Sequence, residues 1–169
     1  MSKKSEMVGR KVQEEKRLAL RQQVWGSELE QLDLWDKATH KGFASVPRTL
    51  PQLSRIMDMF AGKGTPVSTT YLALLCNVFD SSFVEIKEKK RLAFESGFSG
   101  QRAITAWHSR MRKLESMGFI SAKAGMHDDF SYVLILNPFS AVNRLYEGRD
   151  KDEFYYGLIS RMSDVGTVM

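Results

Sequence analysis

Gln101, Arg102, Thr105, Ser109 and Arg112 are the residues in this chain whose types and spacing can do chemistry. Arg reaches guanine O6 and N7 together, Gln does the same with adenine, and Thr or Ser bonds a phosphate or touches a thymine methyl. At 100° per residue, Arg102, Thr105, Ser109 and Arg112 share one arc of a helix, with Gln101, Lys113 and Ser116 at its margins. The opposite stripe holds Ile104, Trp107, Met111 and Leu114, at spacings of three, four and three. A solvated surface helix is the plain alternative, but such helices usually alternate Glu with Lys. Here Glu115 is the only acid between Gln101 and Met117. The pattern points to a helix that reads nucleic acid.

The elements around it must hold that helix in place. Leu92 to Phe98 reads as the end of a helix running from about Glu88 to Ser96, with Ala93 small enough for a second helix to approach and Gly97 able to take the left-handed conformation that stops it. Ser99 is placed to cap the next helix, and Gln101 through Met117 run without Pro or Gly. Two helices joined by a three- to four-residue turn containing Gly make a helix-turn-helix. Gly118 stops the second helix, Phe119–Lys123 reads as a strand, 124–129 as a turn, and Phe130–Leu136 as a second strand ended by Asn137-Pro138. A helix-turn-helix followed at once by a β-hairpin is a winged helix. The expected fold is therefore mainly α with a small β-hairpin, an α+β winged helix-turn-helix with extra helices at both ends.

Leu114-Glu115-Ser116-Met117-Gly118-Phe119-Ile120 resembles the Leu-x-x-x-Gly-hydrophobic-hydrophobic join between recognition helix and wing in many bacterial winged-helix proteins. The resemblance covers residues 88 to 137. More widely, Val46-Pro47-Arg48-Thr49-Leu50-Pro51 together with Phe98-Ser99-Gly100-Gln101-Arg102 is similar to bacterial proteins of unassigned role on plasmids and other mobile elements. In winged-helix DNA binders the recognition helix usually enters the major groove and the hairpin touches flanking backbone or minor groove. The resemblance thus implies DNA contacts from Gln101, Arg102, Thr105, Ser109, Arg112 and Lys113, with Lys123 and His127 on the wing. Asp128 and Asp129 depart from the pattern by placing negative charge at the wing tip. Either the tip avoids DNA or it serves a protein contact.

Upstream, residues 1–24 read as a basic tail with a marginal helix from about Lys11 to Gln23. Ser27 is expected to cap a short helix bearing Leu29, Leu32 and Trp35, and a loop from His40 to Pro47 follows, with Phe43 and Val46 paired in a short extended segment. Pro51 starts a helix with Leu53, Ile56, Met57 and Phe60 on one face. Ser68 is expected to cap a further helix carrying Tyr71, Leu72, Leu75, Cys76, Val78 and Phe79, and Cys76 is expected to be inert core. Phe83, Val84 and Ile86 read as a short extended stretch. After the hairpin, Phe139–Tyr146 and Asp152–Met162 read as helices that either complete the core or, the favoured expectation, build a dimer interface. The expected organisation is a tail over 1–24, a winged-helix domain with added N-terminal helices over 25–137, and C-terminal helices over 138–169.

Charge supports a polyanionic partner. The 169 residues carry a net +5, but residues 1–24 hold seven basic and three acidic groups, and residues 85–125 hold nine and four. Residues 126–169 hold four basic and seven acidic groups. Segregated positive charge of this kind attracts nucleic acid. No apolar run reaches the roughly 18 residues of a membrane span. The charged N-terminus lacks the apolar stretch of a signal peptide, so a cytoplasmic location is expected.

Catalysis finds no support. His40, His108 and His127 lie far apart, and one cysteine makes neither a disulfide nor a cysteine zinc site. Gly62-Lys63-Gly64-Thr65 lacks the spacing of a phosphate-binding loop. Asp150, Asp152 and Glu153 read as turn and helix-start residues. No metal or cofactor is expected. The expected function is sequence-specific binding of double-stranded DNA by a homodimer, as a transcriptional regulator or a plasmid replication or maintenance factor. The alternative is a non-catalytic protein-interaction module built on the same scaffold.

Overall fold

The computed structural model describes residues 3–35, 38, 40–79, 81–126 and 128–167. The chain divides into two compact units, residues 1–42 and 43–169. Among the described residues no helix is long and apolar enough to cross a membrane.

The first unit is built on one helix, α1 (Lys3–Trp25), longer at both ends than the expected 11–23. Gly9 lies inside it and costs only about 1 kcal/mol against Ala. Its described side chains lie at the surface. The helix expected from Ser27 does not form. A single 3-10 turn, Gly26–Glu30, stands in its place. Leu32 and Trp35 are exposed, so their spacing buries nothing, and Trp35 instead stacks on His40 at 4.8 Å between centroids.

The second unit is mainly helical with a three-stranded antiparallel sheet. Its elements are α2 (Leu50–Ala61), α3 (Ser68–Cys76), β1 (Phe83–Glu85), α4 (Lys89–Glu95), α5 (Ala103–Ser116), β2 (Ile120–Lys123), β3 (Tyr132–Ile135), α6 (Pro138–Leu145) and α7 (Glu153–Val165). The sheet runs β1-β3-β2. The sequence foretells the hairpin, while β1 joins it as a third strand, pairing Phe83 with Leu134 and Glu85 with Tyr132. Phe43 and Val46 form no strand.

One hydrophobic core runs through the unit. Leu53, Ile56 and Met57 of α2 meet Tyr71 and Leu74 of α3, Trp107, Met111 and Leu114 of α5, and Val142, Leu158 and Met162 of α6 and α7. The inner faces of the C-terminal helices are thus buried within a single chain. Asn137 caps α6 through the Phe139 N–H at 2.9 Å, with Pro138 in the first turn. Asp152 caps α7 through the Tyr155 N–H at 3.0 Å and also accepts the Tyr146 hydroxyl at 2.7 Å.

Two expected details of α3 are corrected. Ser68 does not cap it. Asp58, on α2, does so from outside, accepting the N–H groups of Val67 and Ser68 at 2.7 and 2.9 Å and the Ser68 hydroxyl at 2.6 Å. Cys76 is exposed rather than core. The helix buries Thr70, Tyr71, Ala73 and Leu74, and Cys76 falls on the opposite arc. Phe79 lies beyond the helix end and is 93% exposed.

Candidate nucleic-acid interface

The α4–α5 pair is set by two glycines. At the end of α4, Gly97 (φ 89°) donates to Phe94 O and Phe98 to Ala93 O, both at 2.9 Å. At the end of α5, Gly118 (φ 78°) donates to Glu115 O at 2.9 Å and Phe119 to Leu114 O at 3.0 Å. Each pair of bonds closes a helix with a left-handed residue that Gly takes at least cost. The connection between the helices is longer than expected, residues 96–102. Ser99 does not cap α5. Gly100 (φ 77°) turns the chain, Ala103 donates back to Gly100 O at 3.2 Å, and the helix begins at Ala103.

Gln101 and Arg102 therefore stand in the turn that leads into α5 rather than on its first helical turn. Both are exposed. Arg102 holds the N-cap position and no side chain caps the helix, whose first N–H, that of Ala103, is taken by Gly100 O. Along α5, Thr105, Ser109, Arg112 and Ser116 are exposed, Lys113 is half-buried, and Trp107, Met111 and Leu114 are buried. The two-faced helix stands as its sequence foretells.

The flanks of that exposed arc are occupied. On one side Arg110 donates to Pro66 O at 2.9 Å and Gly64 O at 3.2 Å, and its guanidinium lies 5.4 Å from the Phe98 ring centroid. On the other side Glu115 accepts the Ala122 N–H of β2 at 3.0 Å, and His108 meets the hairpin turn. The single acid of the helix is therefore committed to the sheet edge.

Asp128 does not project from the hairpin tip as its sequence position suggests. Its side chain is 7% exposed, accepts from Lys89 Nζ at 2.8 Å and lies 2.9 Å from His108 Nε2. Its other oxygen accepts the Phe130 N–H at 2.9 Å. Its carbonyl accepts Gly125 N–H at 2.9 Å and Ser131 Oγ at 2.8 Å. Burial alone would raise the Asp128 pKa. The hydrogen bonds from Lys89 and Phe130, with the charge and hydrogen bond of His108, outweigh it and hold the carboxyl below its ordinary value. One carboxylate thus ties the hairpin to both α4 and α5. Asp129 is exposed, and His127 lies outside the described residues.

The nine cations of residues 85–125 fall into two sets. Lys87 pairs with Glu85 at 3.1 Å, Lys89 with Asp128, and Arg91 with Glu95, while Arg110 is spent on backbone carbonyls. Lys90, Arg102, Arg112, Lys113 and Lys123 have no acidic partner among the described residues. Three of these, Arg102, Arg112 and Lys113, follow the exposed arc of α5. Lys123 belongs elsewhere, on the outward face of the sheet beside Tyr132. The structural weight carried by Asp128, Arg110 and Asp58 has no signal in sequence spacing, because the partners through which they join other elements lie 9 to 46 positions away.

Comparison with protein-family models, curated proteins and solved structures finds no match for this chain.

Proposed function

We propose that residues 68–136 form a winged helix and that the protein binds double-stranded DNA through α5. The observation that carries this reading is the division of the basic block. Arg102 and Arg112 stand exposed and unpaired on an arc of Thr and Ser, while the only acid of that helix is turned to Ala122. Unneutralised cations beside hydrogen-bonding side chains suit phosphate docking and base reading together. The order helix, strand, helix, helix, hairpin supports the winged-helix reading. In this reading α5 enters the major groove with Gln101 and Arg102 leading, and Thr105, Ser109 and Arg112 follow along the groove. The biological role is that of a transcriptional regulator or a plasmid replication or maintenance factor.

Selection from a random duplex library across a salt series tests it. About four phosphate contacts per protomer give a log–log salt slope of roughly −7 for a dimer. An enriched sequence with a steep slope is the expected result. Absence of binding at low salt would sink the reading.

The second reading, a protein-interaction module, is favoured by one observation. The outward face of the sheet carries exposed Phe83, Tyr132 and Leu134.

A further inference from the structure

We infer that the outward face of the β1-β3-β2 sheet is the surface through which two copies of this chain pair. The register places two rows on that face. One is Phe83, Leu134 and Ser121, the other Glu85, Tyr132 and Lys123, each running from β1 through the central β3 to β2. Phe83 is 42% exposed, Leu134 47% and Tyr132 42%, and Phe83 stacks on Tyr132 at 6.3 Å between centroids. The opposite face, through Val84, Val133 and Ile120, is buried in the core. An antiparallel sheet commonly has one face on the core and a polar one in water. Here the middle of the outward face is apolar.

The pattern across each row identifies the occupant as a second copy. A two-fold axis laid along β3 brings β1 of one protomer opposite β2 of the other. In the first row Phe83 then meets the small Ser121 of the partner copy, and Leu134 meets its own equivalent. In the second row Glu85, which also pairs with Lys87 of its own chain at 3.1 Å, meets the partner copy's Lys123, and Tyr132 meets Tyr132. Size and charge are both complementary under one operation, the self-complementarity that an isologous dimer needs. Sheets packed this way keep their strands within about 30° of one another.

Two rows of three residues bury less than the roughly 800 Å² per partner of a standard interface. The dimer is therefore weak, with dissociation in the micromolar range or above. It does not depend on the DNA reading, since it forms from protein alone.

The test is sedimentation equilibrium of the full chain without DNA, up to several hundred micromolar, with circular dichroism to check folding. The wild type is expected to dimerise and Leu134→Ser to weaken the dimer at least tenfold. Glu85→Lys alone, which sets Lys against Lys123, is expected to weaken it similarly. Glu85→Lys with Lys123→Glu is expected to restore it, and no change in overall surface charge would produce that rescue. A wild type that stays monomeric throughout overturns the proposal. So does a Leu134→Ser protein that dimerises like wild type, which would move the interface to α1 or to another surface. Failure of the charge swap to restore dimerisation overturns the two-fold arrangement.

Discussion

Asp128 Oδ2 lies 2.9 Å from His108 Nε2 while it also accepts from Lys89, so the turn of the hairpin is bolted to two helices by one carboxylate. The position of the hairpin relative to α5 depends on that carboxylate. Asp128→Asn removes the charge and one strong acceptor in a part-buried setting, and about 1–3 kcal/mol of stability should go with it. Urea unfolding of wild type and variant measures this. A difference under about 0.5 kcal/mol, the range of ordinary surface substitutions, would show that the cluster is not structural.

The same carboxyl sets an acid limb. Its pKa in the fold is below the ordinary 3.8, so its contribution is complete above that value and drains away as pH falls through and below it. The melting-temperature gap between wild type and Asp128→Asn should therefore be widest near neutrality and narrow below pH 3.8. A gap that stays constant to the lowest pH tolerated would contradict the assignment.

Arg110 and Arg112, two positions apart, should behave oppositely. Arg110→Ala removes its bonds to Pro66 and Gly64 and its place over Phe98, costing about 1 kcal/mol of stability or somewhat more, with DNA affinity little changed. Arg112→Ala should leave stability within about 0.5 kcal/mol. Combined with Arg102→Ala, it should lower DNA affinity by about 1–3 kcal/mol for each base that is no longer read. Paired melting and salt-series binding separate the two. Equal effects of both arginines on affinity would mean that DNA does not bind along the exposed arc.

Cys76 is exposed, so a thiol reagent should label it in the native protein at a rate close to that of a free thiol. Labelling only after denaturant is added would return it to the core.

Gly118 holds a left-handed φ of 78°, and a Cβ there would come within 2.8 Å of the Arg144 guanidinium. Gly118→Ala should cost about 1–2 kcal/mol through backbone conformation alone, read by urea denaturation. Arg144, long and at the surface, can swing aside.

What the sequence made legible was local. Ile104, Trp107, Met111 and Leu114 repeat within one helix, and Gly118 ends it, so α5 and the hairpin after it could be read with boundaries off by a few residues. The exposed positions of Thr105, Ser109 and Arg112 followed from that same periodicity, while Gln101 and Arg102 are exposed in the turn before the helix. Where a distant partner decides the outcome, the sequence was mute or misleading. Ser68 has the chemistry of a cap, but Asp58 reaches the same amides first. Asp128 sits in a turn, and only the fold brings Lys89 and His108 to it. Cys76 lies in an apolar run whose buried side is chosen by packing, and Ser99 does not take its expected role because Gly100 starts a separate turn.

The bond from Glu115 to the Ala122 N–H has a consequence for aggregation. An edge strand offers a row of unpaired donors and acceptors to any passing chain, and many proteins blunt it with Lys or Pro on the strand itself. Here the blocking group comes from the neighbouring helix, and its negative charge stays beside the donor it occupies. Replacing that acid would uncover the amide and leave β2 as a template for another strand, inviting fibrous growth along the sheet. Glu115 of the helix thus shares the shielding of that edge with Lys123 of the strand itself.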